Sequence, residues 1–251
     1  MMTFLPERQY PNAPITEAVI DLVVQPVEGI SLEGLGGIQD EAYSQKEPIT
    51  FNQVQFTGTG ATTTQETKGW RFRSGDGLYI YQARLNGFGA SRLAPYQNWK
   101  AFSEEARRLW KRYRESARPV AIQRLGLRYI NRIDIPLPLN DFGEYLLTAP
   151  LVSPHLPQGL SNYVMSLTIP IDDVVTVAVT EAILNQVLPN QAVVAPAKSD
   201  TVSILLDIDV SQPLDWSSTE EHLWERFEYL RKVKNHVFES CITDKTRELF
   251  Q

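Results

Sequence analysis

No part of this chain constrains its fold more than Ala121–Ile135, where apolar and polar side chains alternate over most of the run. A period of two describes a strand with one face buried and one face free. Leu125, Leu127, Tyr129, Ile133 and Ile135 fall on one face, and Arg124, Gly126, Arg128, Ile130, Arg132 and Asp134 on the other. Ile15–Val24 alternates in the same way and is rich in β-branched residues, so it predicts a second such strand. Long amphipathic strands of this kind belong to antiparallel sheets.

The remaining pattern predicts an ordered series. A helix is expected over Ser31–Ser44, interrupted by Gly34, Gly36 and Gly37, then strands over Thr50–Thr57, Gly69–Arg73 and Leu78–Leu85. Thr57–Thr64, rich in Gly and Thr, reads as a loop. In Tyr96–Ala117, Phe102, Ala106, Leu109, Trp110, Tyr113 and Ala117 recur at helical spacing before Pro119 ends the helix. After Ala121–Ile135 come a short helix over Asp141–Leu147 and strands over Tyr163–Ile169, Val174–Glu181 and Thr201–Val210. A terminal helix starts near Thr219 with Ser217 and Ser218 as caps, and Thr243-Asp244 offers a restart. Both halves read β-α-β-β-β-α, and Ile20-Asp21 and Leu109–Tyr113 echo Ile133-Asp134 and Leu223–Phe227. The expected fold class is therefore α+β, a duplicated, mainly antiparallel sheet with long helices packed on one face. The expected halves are residues 1–119 and 120–251, sharing one core.

At 43% hydrophobic and 22% charged residues, the composition is that of an ordinary globular protein. The single cysteine, Cys241, removes disulfide frameworks and thiolate metal clusters from consideration. The first residues hold no apolar stretch of signal-peptide length, and no segment approaches a transmembrane span, so a cytoplasmic location without membrane contact is expected.

Charge is segregated. Residues 92–132 carry eleven Lys/Arg against three Glu, a local balance of +8 in a chain of −6. On the first long helix, Arg107, Arg108, Lys111, Arg112, Arg114 and Arg118 lie off the apolar stripe. They form either a solvated face, with Glu104 paired to Arg108, or a surface for an acidic partner. On the following strand, Arg124, Arg128 and Arg132 form a row suited to bidentate recognition of phosphate or carboxylate, with Gly126 leaving space above the backbone. Arg71, Arg73, Arg84 and Arg92 are further contributors. Against this, Glu17 and Asp21, or Asp207 and Asp209, would neutralise the row as cross-strand ion pairs. The same carboxylates are the candidates for a divalent metal in a phosphoesterase. The aromatics Trp70, Phe72, Tyr79, Tyr81 and Phe88 read first as core and second as a stacking surface. No Gly-x-Ser-x-Gly elbow, phosphate loop or paired-histidine motif occurs, and His155, His222 and His236 are scattered.

Tyr10-Pro-Asn-Ala-Pro-Ile-Thr-Glu-Ala-Val-Ile-Asp21 and Leu125-Gly-Leu-Arg-Tyr-Ile-Asn-Arg-Ile-Asp134 carry a resemblance, with Gly69–Phe72, Ser91–Tyr96 and Lys234–Asp244 between and after them. In this order they resemble a sporadically distributed bacterial protein family of unassigned function. The resemblance implies a patchily inherited, mobile gene compatible with phage-defence or toxin–antitoxin neighbourhoods, and it carries over no catalytic residue. The reading is of a non-enzymatic binding protein, without cofactor or metal. It recognises an anionic ligand, a phosphorylated small molecule or a nucleic-acid segment, on the arginine-lined sheet face. Its ligand set is Arg124, Arg128, Arg132, Glu17, Asp21, Arg71, Arg73, Arg84 and Arg92. The alternatives are a protein–protein adaptor or antitoxin-like partner using Arg107, Lys111 and Arg114, and the metal-dependent phosphoesterase. A homodimer is compatible with the apolar surface of the terminal helix.

Overall fold

The computed structural model describes residues 3–38, 40–58, 60–156, 160–184, 200–214 and 220–251. The fold is α+β. Its strands are β1 (Ile15–Gln25), β2 (Gln45–Thr57), β3 (Gly60–Arg73), β4 (Tyr79–Arg84), β5 (Gly87–Leu93), β6 (Ala121–Pro136), β7 (Val164–Pro170), β8 (Thr176–Ile183) and β9 (Thr201–Pro213). The helices are α1 (Leu32–Gly36), α2 (Trp99–Ala117), α3 (Glu220–Cys241) and α4 (Asp244–Glu248). The chain divides into two compact units. The first is Val19–Gly126 with Pro213–Ser218, and the second is Met1–Ala18, Leu127–Gln212 and Thr219–Gln251. Strands β1 and β6 contribute residues to both.

In the first unit the strand order is β2-β3-β4-β5-β1-β6. The pairs β2/β3, β3/β4 and β4/β5 are antiparallel, with Glu47 opposite Arg71, Gly69 opposite Arg84 and Tyr79 opposite Arg92. Alternation along β4 and β5 turns Tyr81 and Phe88 into the core, where Phe72 stacks on Tyr81 and Trp110 and Tyr113 of α2 meet Phe88. Phe72, Tyr81 and Phe88 thus take the core reading, whereas Trp70 and Tyr79 are half-buried. α2 begins at Asn98, whose side chain accepts from Ala101 N–H at 2.9 Å, a standard cap for an orphan donor. It ends at Arg118, which takes a left-handed conformation (φ 44°) just before Pro119.

Three local expectations are corrected here. The helix predicted over Ser31–Ser44 is one short turn, Leu32–Gly36. Its glycines disfavour continuation, and Asp40 instead draws the chain into a turn by accepting from Ala42 N–H. Most of the Thr57–Thr64 segment is not loop, since β3 already begins at Gly60 and pairs with β2 out to Thr57. Strand β5 was not foreseen, because Gly-Phe-Gly-Ala-Ser has little strand propensity. Its glycine is needed for another reason: a Cβ on Gly87 would lie 2.7 Å from Leu22 O.

In the second unit the order is β1-β6-β9-β8-β7, with antiparallel β7/β8 and β8/β9 pairs. Leu127, Tyr129, Ile133 and Ile135 are buried, as are Ile204, Leu206, Ile208 and Val210 of β9 and Leu223, Phe227, Leu230 and Val233 of α3. Asn131 shares the apolar face of β6, and its amide satisfies itself by donating to Leu206 O at 2.9 Å. The helix predicted over Asp141–Leu147 is a single 3-10 turn, Phe142–Glu144, capped by Asp141. Thr243 caps α4. The predicted caps Ser217 and Ser218 lie outside the described residues.

Candidate functional site

β1, β4 and β6 bring three of the predicted residues together in the first unit. Asp21 and Arg124 face outward because their neighbours Ile20, Leu22 and Leu125 face the core. Arg84 ends β4, donates from Nη2 to Asp21 Oδ1, and also reaches Phe88 O at 3.2 Å. Arg124 approaches the other oxygen of Asp21 at 3.8 Å and folds over Gly126, where an added Cβ would lie 3.0 Å from its Nη1. One carboxylate thus faces two guanidinium groups. The Nε of Arg84 is buried and has no hydrogen-bond acceptor. Leaving a charged donor unmatched costs about 1–3 kcal/mol unless something supplies the acceptor.

Arg84 also lines a cleft of about 410 Å³, with Val23, Phe51, Lys68, Leu85 and Asn86. Lys68 meets Glu66, but both side chains are well exposed, so this pair is weak and solvent-screened. The cleft wall therefore carries two cations and an amide beside apolar surface. Phe51, Lys68 and Asn86 were not foreseen. The β4–β5 turn is Leu85-Asn86, with Gly87 already paired to Arg84 in β5, and Leu85 is not a residue that marks such a turn in sequence. Phe51 and Lys68 reach the cleft only through the β2/β3/β4 registers.

In the second unit the arginines meet carboxylates. Arg128 grips Asp207 in a fork, Nε to Oδ1 at 2.8 Å and Nη2 to Oδ2 at 2.5 Å. That hydrogen-bonded pairing raises the Arg128 pKa, with Asp209 and Glu17 adding attraction from a distance. Arg132 donates to Asp134 at 2.8 Å and to Ser203 Oγ at 3.0 Å, and Ser203 in turn donates to Asp134 at 2.6 Å. The cross-strand ion pairing weighed from sequence is the geometry around Arg128.

The other candidates are dispersed. Arg71 pairs with Glu47 at 2.9 Å across β2/β3, exposed, and Arg73 donates to Gly77 O at 3.3 Å. Arg92 is 3% exposed, donates to Pro95 O at 2.9 Å and lies 4.7 Å from the Tyr79 ring centroid. On α2, Arg108 pairs with Glu105 rather than with Glu104, because Glu105 is drawn in by the Tyr43 hydroxyl. Arg108 and Arg112 both bind Asp40; burial pushes the Asp40 pKa up, but Arg108 and the Ala42 N–H outweigh it and hold it low. Arg108, Lys111 and Arg112 border a depression of about 510 Å³ with Gly37 and Ile38.

Burial pushes the Cys241 thiol up to about 12, which makes it a poor nucleophile. Among the described residues, no three His, Cys, Asp or Glu side chains converge to hold a metal ion. No helix among the described residues is long and apolar enough to cross a membrane. No family model matches the chain, and no curated protein matches it in sequence.

Proposed function

We propose that the first-unit cleft binds a small phosphorylated molecule, and that binding rather than turnover is the role of the site. One observation carries this: Arg84 and Lys68 both line the same cleft. A phosphate oxygen is the acceptor that guanidinium geometry favours. Asp21 holds Arg84 in place yet competes with an incoming anion, so the site suits one compact phosphate better than a nucleic-acid backbone. The resemblance noted above would set such a protein in a mobile, phage-defence context. The echoes at Ile20-Asp21/Ile133-Asp134 and Leu109–Tyr113/Leu223–Phe227 favour a duplicated origin, with β5 added in the first half.

Calorimetric titration with inorganic phosphate and pyrophosphate tests the reading. Arg84→Ala is expected to weaken binding about tenfold or more, as loss of one charge-assisted contact would, whereas Arg128→Ala leaves it unchanged. Equal loss in both variants, or no phosphate binding by the wild type, would remove the proposal.

A second reading is the adaptor. The depression beside Lys111 supports it, because a cationic rim against Gly37 and Ile38 suits an acidic side chain from another protein. Charge reversal of Arg107, Lys111 and Arg114 would then abolish capture of the partner without affecting phosphate binding.

A further inference from the structure

The apolar half of the cleft is unexplained by phosphate alone. Phe51 is 58% exposed, and it is the only phenylalanine among the exposed large apolar side chains of the described residues. It stands on β2 opposite Glu66, and Lys68 lies two positions further along the paired strand. Its ring, Val23 and Leu85 face the same 410 Å³ that Arg84 and Lys68 border. Asn86 adds an amide with both a donor and an acceptor to that wall. An exposed aromatic face, an amide and two cations around one cleft are the separate requirements of a flat heterocycle joined to a phosphate.

The geometry points to a nucleoside monophosphate as the ligand class, with its base against Phe51 and its phosphate on Arg84 and Lys68. This rests on the anion-binding reading of the same cleft. Size agrees: ligand sites span about 300–1,000 Å³, and this one sits at the small end, where a mononucleotide fits and a dinucleotide is crowded. Charge agrees as well. Arg84 is already half-neutralised by Asp21, so a single phosphate dianion matches the cleft better than a triphosphate.

The test compares AMP, GMP, CMP and UMP with ribose 5-phosphate and inorganic phosphate by calorimetry on the full chain. At least one nucleotide is expected to bind about tenfold or more tighter than ribose 5-phosphate, which is what one base–aromatic stack supplies. Phe51→Ala should erase that advantage and leave ribose 5-phosphate binding intact, whereas Phe51→Tyr should keep it. Phe51 is exposed, so both variants are expected to fold. Ribose 5-phosphate binding as well as every nucleotide would overturn the nucleoside assignment while leaving the anion site standing. Failure of all six compounds to bind would remove both.

Discussion

Lys234 lies on α3 with its Nζ 3.9 Å from the Tyr129 ring centroid and only 8% of its surface exposed. Burial is the main force on this amine and brings its pKa down from 10.5 to about 7, with Arg231 pushing the same way and Glu7 and Glu239 opposing. The unfolded chain keeps the proton until about pH 10.5, whereas the folded chain releases it near 7. Between those values the unfolded state binds more protons, so stability should climb as pH rises, by at most about 1.4 kcal/mol per pH unit. Above pH 10 the gain should reverse. There the unfolded tyrosines ionise, while Tyr10, half-buried and donating to Glu239, resists up to about 12. Urea unfolding from pH 6 to 10 measures this. Lys234→Met should flatten the slope and raise stability at pH 7, since an apolar side chain replaces a buried charge. An unchanged slope in the variant would refute the assignment. Cys241 gives a simpler expectation: with its thiol buried and its pKa raised, it should react with a disulfide reagent only after unfolding.

At the scale of elements, legibility followed side-chain periodicity. α2 was legible because six apolar residues recur on one face and Pro119 stops the chain, and β6 because Leu125, Leu127, Tyr129, Ile133 and Ile135 alternate with polar residues. Strand β5 was hidden, since Gly87, Gly89, Ala90 and Ser91 show no hydrophobic alternation. What holds such small residues in a strand is close contact with neighbours distant in sequence. Gly69 makes the same point in β3, where an added Cβ would lie 2.3 Å from Ala83 O and 2.7 Å from the Arg84 Cα, both backbone atoms of the paired strand. Gly69→Ala should therefore cost about 1–3 kcal/mol by overpacking. Gly75→Ala, with nothing within 4 Å of its added Cβ, should change the urea midpoint little. Because Arg84 is the residue displaced, Gly69→Ala should also weaken phosphate binding.

For the molecule as a whole, charge bears on which anion the proposed site would take. Of the arginines and carboxylates singled out by the sequence, Arg84, Arg124 and Asp21 meet. Which arginines would be spent on Asp207 and Asp134 depended on strand neighbours that composition cannot reveal. The same is true of Phe51, which is ordinary in a strand and informative only once β2 is seen to border the cleft. Residues 92–132 concentrate eleven cations, several of them bound to carboxylates, and the rest of the chain sums to −14. In the proposed site a mononucleotide would meet Arg84 and Lys68, while the carboxylates paired with them, Asp21 and Glu66, would disfavour a longer polyanion. A single-stranded oligonucleotide should thus bind no tighter than the best mononucleotide. Raising KCl from about 50 to 200 mM should weaken mononucleotide binding by less than about tenfold, far short of the ~10³–10⁵ loss of proteins that contact six to ten phosphates. Calorimetry at the two salt concentrations separates the cases, because tighter oligonucleotide binding with a steep salt slope would mean that the backbone of a nucleic acid, and not a single nucleotide, is what the cations recognise.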